Sequence, residues 1–178
     1  MDRIQKNVQT NIVLIGMAGA GKSTVGRELA KQSSLTFVDV DTVIEHSQNM
    51  LLQELFNNLG IQGFRDLEEK TLLSLDFQNH IIATGGSAIY SQAGMEHLKK
   101  TGVMVLLDVS LALLQKRVGD FSTRGLVKSG NQSFEQLFAE RQPLYAKHAD
   151  LIIDCTDQSV SDICLSIKSS LSDTFYHL

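Results

Sequence analysis

Gly16-Met17-Ala18-Gly19-Ala20-Gly21-Lys22-Ser23 spells a G-x-x-x-x-G-K-S phosphate loop, and its neighbours supply the context that the motif requires. The apolar run Ile12-Val13-Leu14-Ile15 before it reads as a buried strand. Thr24-Val25-Gly26-Arg27-Glu28-Leu29-Ala30 after it reads as the opening of a helix. The glycines let main-chain N–H groups converge on phosphate oxygens, while the positive end of the helix dipole favours the anion. Lys22 adds a point charge for the β- and γ-phosphates, and Ser23 offers a hydroxyl to Mg²⁺. Gly16, Met17, Ala18, Gly19, Ala20, Gly21, Lys22, Ser23 and Thr24 are therefore the candidate nucleotide-binding residues. A glycine-rich turn that binds nothing would not need strand, loop and helix in this register.

The remaining chemistry fits within 178 residues, a length that suits one well-buried core and not two. Sixteen Lys and Arg stand against 20 Asp and Glu, and no basic run is long enough to track a nucleic acid. No stretch approaches a membrane span. The opening Met1-Asp2-Arg3-Ile4-Gln5-Lys6 lacks an apolar signal core, so a cytoplasmic location is expected. Cys155 and Cys164 form no C-x-x-C pair, which favours free thiols over a disulfide or a zinc site. Cys164 lies on the apolar stripe Val160, Ile163, Ile167 and Leu171, so core packing explains it.

Short apolar runs alternate with helical patterns along the chain. Strands are expected at residues 12–15, 36–40, 80–84, 103–108 and 151–154. Helices are expected at 23–32, 43–58, 63–76, 91–100, 111–118, 133–146 and 159–172. β-branched runs separated by helices imply an α/β fold with a parallel sheet covered on both faces. Residues 119–130 differ in being polar and bounded by glycines, with Thr123-Arg124-Gly125 at their centre. A mobile flap and a plain surface loop fit that stretch equally.

Phosphoryl transfer also needs a metal, a polarised acceptor hydroxyl and positive charge around the moving group. Asp39 and Asp41 stand two residues apart at the end of the second strand, where open α/β sheets place ligands. One carboxylate suits Mg²⁺ beside Ser23, and the other suits the acceptor hydroxyl; capping of the next helix by Asp41 competes with the second role. Arg141 falls on the stripe Phe134, Leu137, Phe138 and Tyr145, where a guanidinium must find an anion from the protein or from a ligand. Arg65 precedes Glu68 and Glu69 at i+3 and i+4, so a solvated helix pair accounts for it. Gly85-Gly86 marks close backbone approach, or a tight turn, at the end of the third strand. His46, His97, His148 and His177 show no pairing pattern and read as incidental.

The ordered set G-M-A-G-A-G-K-S-T-V-G-R, F-V-D-V-D, G-F-R-D-L-E, A-T-G-G-S, S-T-R-G-L and E-R-Q-P-L-Y resembles the shikimate kinase family from about Asn11 to Asp154. The resemblance implies a nucleoside-monophosphate-kinase-like fold, a five-stranded parallel sheet of order 2-3-1-4-5 with a mobile lid. It implies one domain over 1–178, with an acceptor-binding helical region near 41–76 and the lid near 119–130. The implied reaction is ATP-Mg²⁺ phosphorylation of the 3-hydroxyl of shikimate, in aromatic amino-acid synthesis, by a monomer. By the same resemblance Lys22, Asp41 and Arg124 are catalytic, Asp41 holding the acceptor hydroxyls and Arg124 closing on the transferring group. Arg65 and Arg141 match a clamp on the acceptor carboxylate, and Gly85 and Gly86 meet the acceptor and the γ-phosphate. Arg117 matches a residue lying against adenine, and Asp39 joins Ser23 near Mg²⁺.

Some positions depart from the family pattern. Ser87 replaces a third glycine, and Ser87 is expected to donate a hydrogen bond to the acceptor or to narrow its pocket. Gly125 replaces a proline after the lid arginine, and the loop at 153–160 lacks its usual proline. Ile61 follows a helix-opening glycine where an acidic residue is usual. A paralogous kinase for another hydroxy-acid or polyol, and a nucleotide-binding regulatory module without transfer, are the alternative readings.

Overall fold

The computed structural model describes residues 10–118 and 132–171. Its centre is β1 (Asn11–Ile15), whose five residues are all buried. Side chains of a strand alternate between the two faces of a sheet, so uniform burial means that both faces are covered. β1 pairs in parallel with β3 (His80–Ala83) on one side and β4 (Gly102–Asp108) on the other. β2 (Thr36–Asp39) and β5 (Leu151–Asp154) complete the order β2-β3-β1-β4-β5 as the edges, and they are correspondingly more exposed. The expected topology and all five expected strands are present, with ends shifted by a residue at most.

The helices fall into three groups. α1 (Lys22–Lys31) packs on α7 (Val160–Leu171), while α3 (Leu52–Ser74) packs on α2 (Val40–Gln48) and α4 (Gln92–Thr101). α5 (Leu111–Val118) packs on α6 (Phe134–His148), whose N-terminus is closed by a reciprocal box between Ser133 and Gln136. Cys164 is buried in this core as expected, and Cys155 is buried with it; both thiols are free.

The helical region after β2 departs from expectation. The break foreseen near residues 59–62 is a kink at Gly60, whose φ of 67° lies outside the range of ordinary side chains. The true interruption lies earlier, where Asn49 turns left-handed at φ 50° and closes α2. An Asn carries no strong boundary signal, because its left-handed tendency competes with a helical neighbourhood. His97 is bonded to the Leu75 carbonyl at 2.7 Å, and His148 is buried.

The chain runs from β1 outward to β2, then returns through β3 and crosses to β4. The loops after β1 and β3 therefore face each other at the carboxyl ends of neighbouring strands, the crevice where such sheets bind ligands. Thr84 ties the two loops together: its N–H and Oγ both donate to the Leu14 carbonyl, at 3.1 and 3.2 Å.

Candidate active site

Gly21 occupies the position before α1 with φ 97°, and no side chain caps the helix behind it. The other helix starts around the site are capped: α2 by Asp39, α4 by Ser91, α6 by Ser133. The first turn of α1 thus keeps N–H groups for an anion. Lys22 Nζ donates to the carbonyls of Gly16 and Met17 at 2.8 and 2.9 Å, bracing the loop with two of its three N–H groups. Burial lowers this ammonium to about 8, with Asp41 and then Asp39 opposing the shift.

A cavity of about 410 Å³ opens above the loop, lined by Lys22, Ser23, Asp39, Asp41, Gly86 and Arg117 among others. Arg117 is exposed at its rim, its Nη1 3.5 Å from the Gly19 carbonyl. Thr24, also on the lining, is exposed. A larger open depression of about 470 Å³ lies over the α2–α3 turn, lined by Glu45, His46 and Met50 among others. It holds no lysine, no arginine and no phosphate loop, so the smaller cavity is the candidate for phosphoryl chemistry.

Ser23 Oγ donates to Asp39 Oδ2 at 2.6 Å, and Asp39 Oδ1 accepts the Asp41 N–H at 3.2 Å. The capping role considered for Asp41 therefore belongs to Asp39. β2 ends at Asp39, and Asp41 sits in the first turn of α2 instead of on the strand. Its carboxyl is freed from capping and faces the cavity. Burial raises Asp41 to about 6, Asp39 adding to the rise and Lys22 opposing it. Mg²⁺ retains several waters and takes one or two protein oxygens, a demand that Ser23 and Asp39 fit side by side. Among the described residues no group of three His, Cys, Asp or Glu side chains is spaced to hold a metal.

Gly85 and Gly86 leave room that any side chain would fill. A Cβ on Gly85 would lie 2.3 Å from Glu68 Oε1 and 2.9 Å from Asp41 Oδ1. One on Gly86 would lie 3.2 Å from Arg141 Nη1 and 3.4 Å from the Ala18 nitrogen of the phosphate loop. The base candidate, the arginine from the apolar stripe and the phosphate cradle therefore converge on one two-residue turn. Arg141 is 1% exposed. Beside it Tyr145 donates to the Gly86 carbonyl at 2.6 Å, and burial pushes its phenol upward.

The expected pairing of Arg65 with Glu68 and Glu69 is absent. Glu68 Oε2 accepts from Ser87 Oγ at 2.6 Å, and Glu69 Oε2 accepts from Ser91 Oγ at 2.6 Å. Both carboxylates are held by serines of the segment after β3, and Arg65 instead lies 3.8 Å above the Tyr90 ring. Arg65 Nε is buried without a hydrogen-bond partner. Ser87 also departs from expectation: it is 4% exposed and gives its proton to Glu68, not to the acceptor space. Burial raises Glu68 to about 7 against the lowering effect of that hydrogen bond, and its Oε1 has no partner.

Glu68 and Tyr90 are the residues that sequence reasoning missed. Glu68 stood inside G-F-R-D-L-E but read as the counter-ion of Arg65; Tyr90 carried no signal at all. Arg124 and the lid at 119–130, with Gly125, lie outside the described residues.

Comparison with known proteins agrees with this geometry. The family model described as shikimate kinase matches residues 18–172. A shikimate kinase of Vibrio parahaemolyticus serotype O3:K6 is 37% identical over 166 residues, 92% of this chain and 96% of that protein. One from Francisella tularensis subsp. novicida is 36% identical over 165 residues, 90% and 94% of the two chains. The solved shikimate kinase of Acinetobacter baumannii in complex with shikimate superposes with a TM-score of 0.85 at 33% identity, covering 94% of this chain and 96% of that one. This chain belongs to the shikimate kinase family.

Proposed function

We propose that this protein transfers the γ-phosphoryl group of ATP to the 3-hydroxyl of shikimate. The observation that carries the reading is the convergence at Gly85-Gly86, where Asp41, Arg141 and the Ala18 nitrogen all approach one turn. A phosphate donor and an anionic acceptor placed there would meet end to end.

In this reading the loop N–H groups and Lys22 hold the triphosphate, and Arg117 lies against adenine. Ser23 and Asp39 hold Mg²⁺, which when bound offsets charge on the β- and γ-phosphate oxygens. Arg65 and Arg141 clamp the acceptor carboxylate, a bidentate task suited to guanidinium groups. Asp41, ionised above about pH 6, takes the proton of the 3-hydroxyl as the new O–P bond forms and the bond from the γ-phosphorus to ADP breaks. Arg124, from the lid at 119–130, would add positive charge to the transferring group.

In the same reading the chain acts as a single-domain monomer with its acceptor region at 41–76. A cytoplasmic setting belongs to the same reading; among the described residues no helix is long and apolar enough to cross a membrane. Neither alternative reading gains support. A regulatory module needs no carboxylate base beside a basic clamp, and nothing in the acceptor half favours a different polyol.

ADP release with ATP-Mg²⁺ and a panel of shikimate, a sugar acid and a nucleoside monophosphate tests the proposal. Shikimate is expected to exceed the others in kcat/KM by roughly 10²-fold or more, the discrimination that a polar site achieves. Equal turnover of the sugar acid, or ATP binding with no acceptor-dependent ADP release, would overturn it.

A further inference from the structure

Two guanidinium groups can grip one carboxylate only if their spacing is fixed, and both are attached to long side chains on different helices. One residue touches both. Arg65 lies 3.8 Å over the face of the Tyr90 ring, and the Arg141 guanidinium carbon lies 5.3 Å from the same ring centroid. Arg141 Nε donates to Tyr90 Oη at 3.3 Å, while Tyr90 Oη donates to Glu140 Oε1 at 2.5 Å. The directions are consistent: the phenol proton is committed to Glu140, so its oxygen lone pair faces the Arg141 N–H. Glu140 is itself held on its other oxygen by Gln132.

The manner of contact matters as much as its existence. A carboxylate partner would occupy the guanidinium edge and neutralise the charge that a ligand must meet. A ring face holds the cation through its π-system and leaves the N–H edge unused. Arg65 fits this description, with Nε buried and unpartnered and with Glu68 and Glu69 drawn off to Ser87 and Ser91.

We infer that Tyr90 is the positioning residue of the acceptor clamp, its ring setting Arg65 and its Glu140-oriented hydroxyl setting Arg141. The inference rests on the proposed role of these arginines in binding the shikimate carboxylate. Tyr90 sits between Ser87 and Ser91, so the segment that binds the two carboxylates of α3 also supplies the ring.

Tyr90→Phe keeps the ring and removes the hydroxyl link; Tyr90→Leu removes both. Shikimate KM is expected to rise about 3–10-fold in Tyr90→Phe, the scale of one hydrogen bond. It should rise about 10–100-fold in Tyr90→Leu, where the stacked cation is released as well. The KM for ATP should stay within about twofold of wild type, and kcat should fall less than shikimate KM rises. Combining Tyr90→Phe with Arg141→Ala should add no further loss beyond Arg141→Ala alone. Should Arg141→Ala raise shikimate KM while both Tyr90 variants leave it unchanged, the positioning role is overturned and the clamp stands. Unchanged KM in Arg65→Ala and Arg141→Ala would remove the clamp, and this inference with it. If Tyr90→Leu does not fold, Tyr90→Phe decides alone.

Discussion

Eight consecutive residues, from Gly16 to Ser23, make up the proposed phosphate-binding half of the site. The proposed acceptor half draws Asp41 from α2, Arg65 and Glu68 from α3, Gly85 to Ser87 from the turn after β3, and Arg141 from α6. The first half is preorganised by local backbone geometry, with Lys22 braced on its own loop. The second is held by side chains that restrain each other across elements, and burial raises two of its carboxyls, those of Asp41 and Glu68. Damage to the loop should therefore register at both substrates, and damage to the acceptor half at one.

Asp41→Asn tests that division most severely. An amide cannot take the hydroxyl proton, so kcat should fall by about 10²–10⁴, the range for a lost general base. ATP affinity should hold, because Asp41 braces no part of the loop. In the wild type, kcat/KM should lose activity below about pH 6 as Asp41 protonates. It should lose activity again above about pH 8 as Lys22 gives up its charge. A pH profile in which the acid limb persists unchanged in a residually active Asp41→Asn would remove Asp41 from the role of base.

Lys22→Ala should cost about 10²–10³ in kcat, the usual scale for one charge-stabilising donor. Here the KM for ATP should rise too, since the carbonyls of Gly16 and Met17 lose their internal donor. Circular dichroism should match the wild type, because the core cluster does not include this side chain. If ATP KM stays fixed while kcat falls, the bracing contacts have no part in forming the cradle, and the contrast with Asp41 narrows.

The same contrast explains what could be read without a structure. The loop, its strand and its helix were legible because motif and periodicity are contiguous in the chain. Arg141 was legible as a problem, a guanidinium on an apolar stripe, and the structure places it against Gly86, Tyr145 and Tyr90. Arg65 misled by pure local rules, since i+3 and i+4 carboxylates are the standard partners on an isolated helix. Ser87 and Ser91 outcompete it from a segment some twenty residues away, a tertiary contact that no helix rule contains. Tyr90 was invisible for the same reason. The α2 boundary at Asn49 failed because a left-handed Asn is a conformational choice settled by packing, not by composition.

Ser87→Gly should have the smallest effect on rate and still discriminate. It restores the glycine usual in the family, and shikimate turnover should stay within roughly tenfold, about 1.4 kcal/mol in the barrier. Its distinctive signature lies in stability. The folded Glu68 carboxyl is raised to about 7 from an ordinary value of 4.5, so the folded chain binds more protons than the unfolded chain between those values. Stability from this group is therefore full below about pH 4.5 and is lost as pH rises through about 7. The Ser87 hydrogen bond opposes the rise, and removing it pushes the folded carboxyl higher and widens the window of loss. The ligand-free variant should thus melt below the wild type by a margin that grows from pH 5 to pH 8. The difference at the alkaline end should approach the roughly 1.5–3 kcal/mol worth of a hydrogen bond to a charged group. A margin that is the same at both pH values would mean that Ser87 contributes only packing and backbone stiffness. The acceptor half would then be held by Tyr90 and the arginines without help from this serine–carboxylate pair.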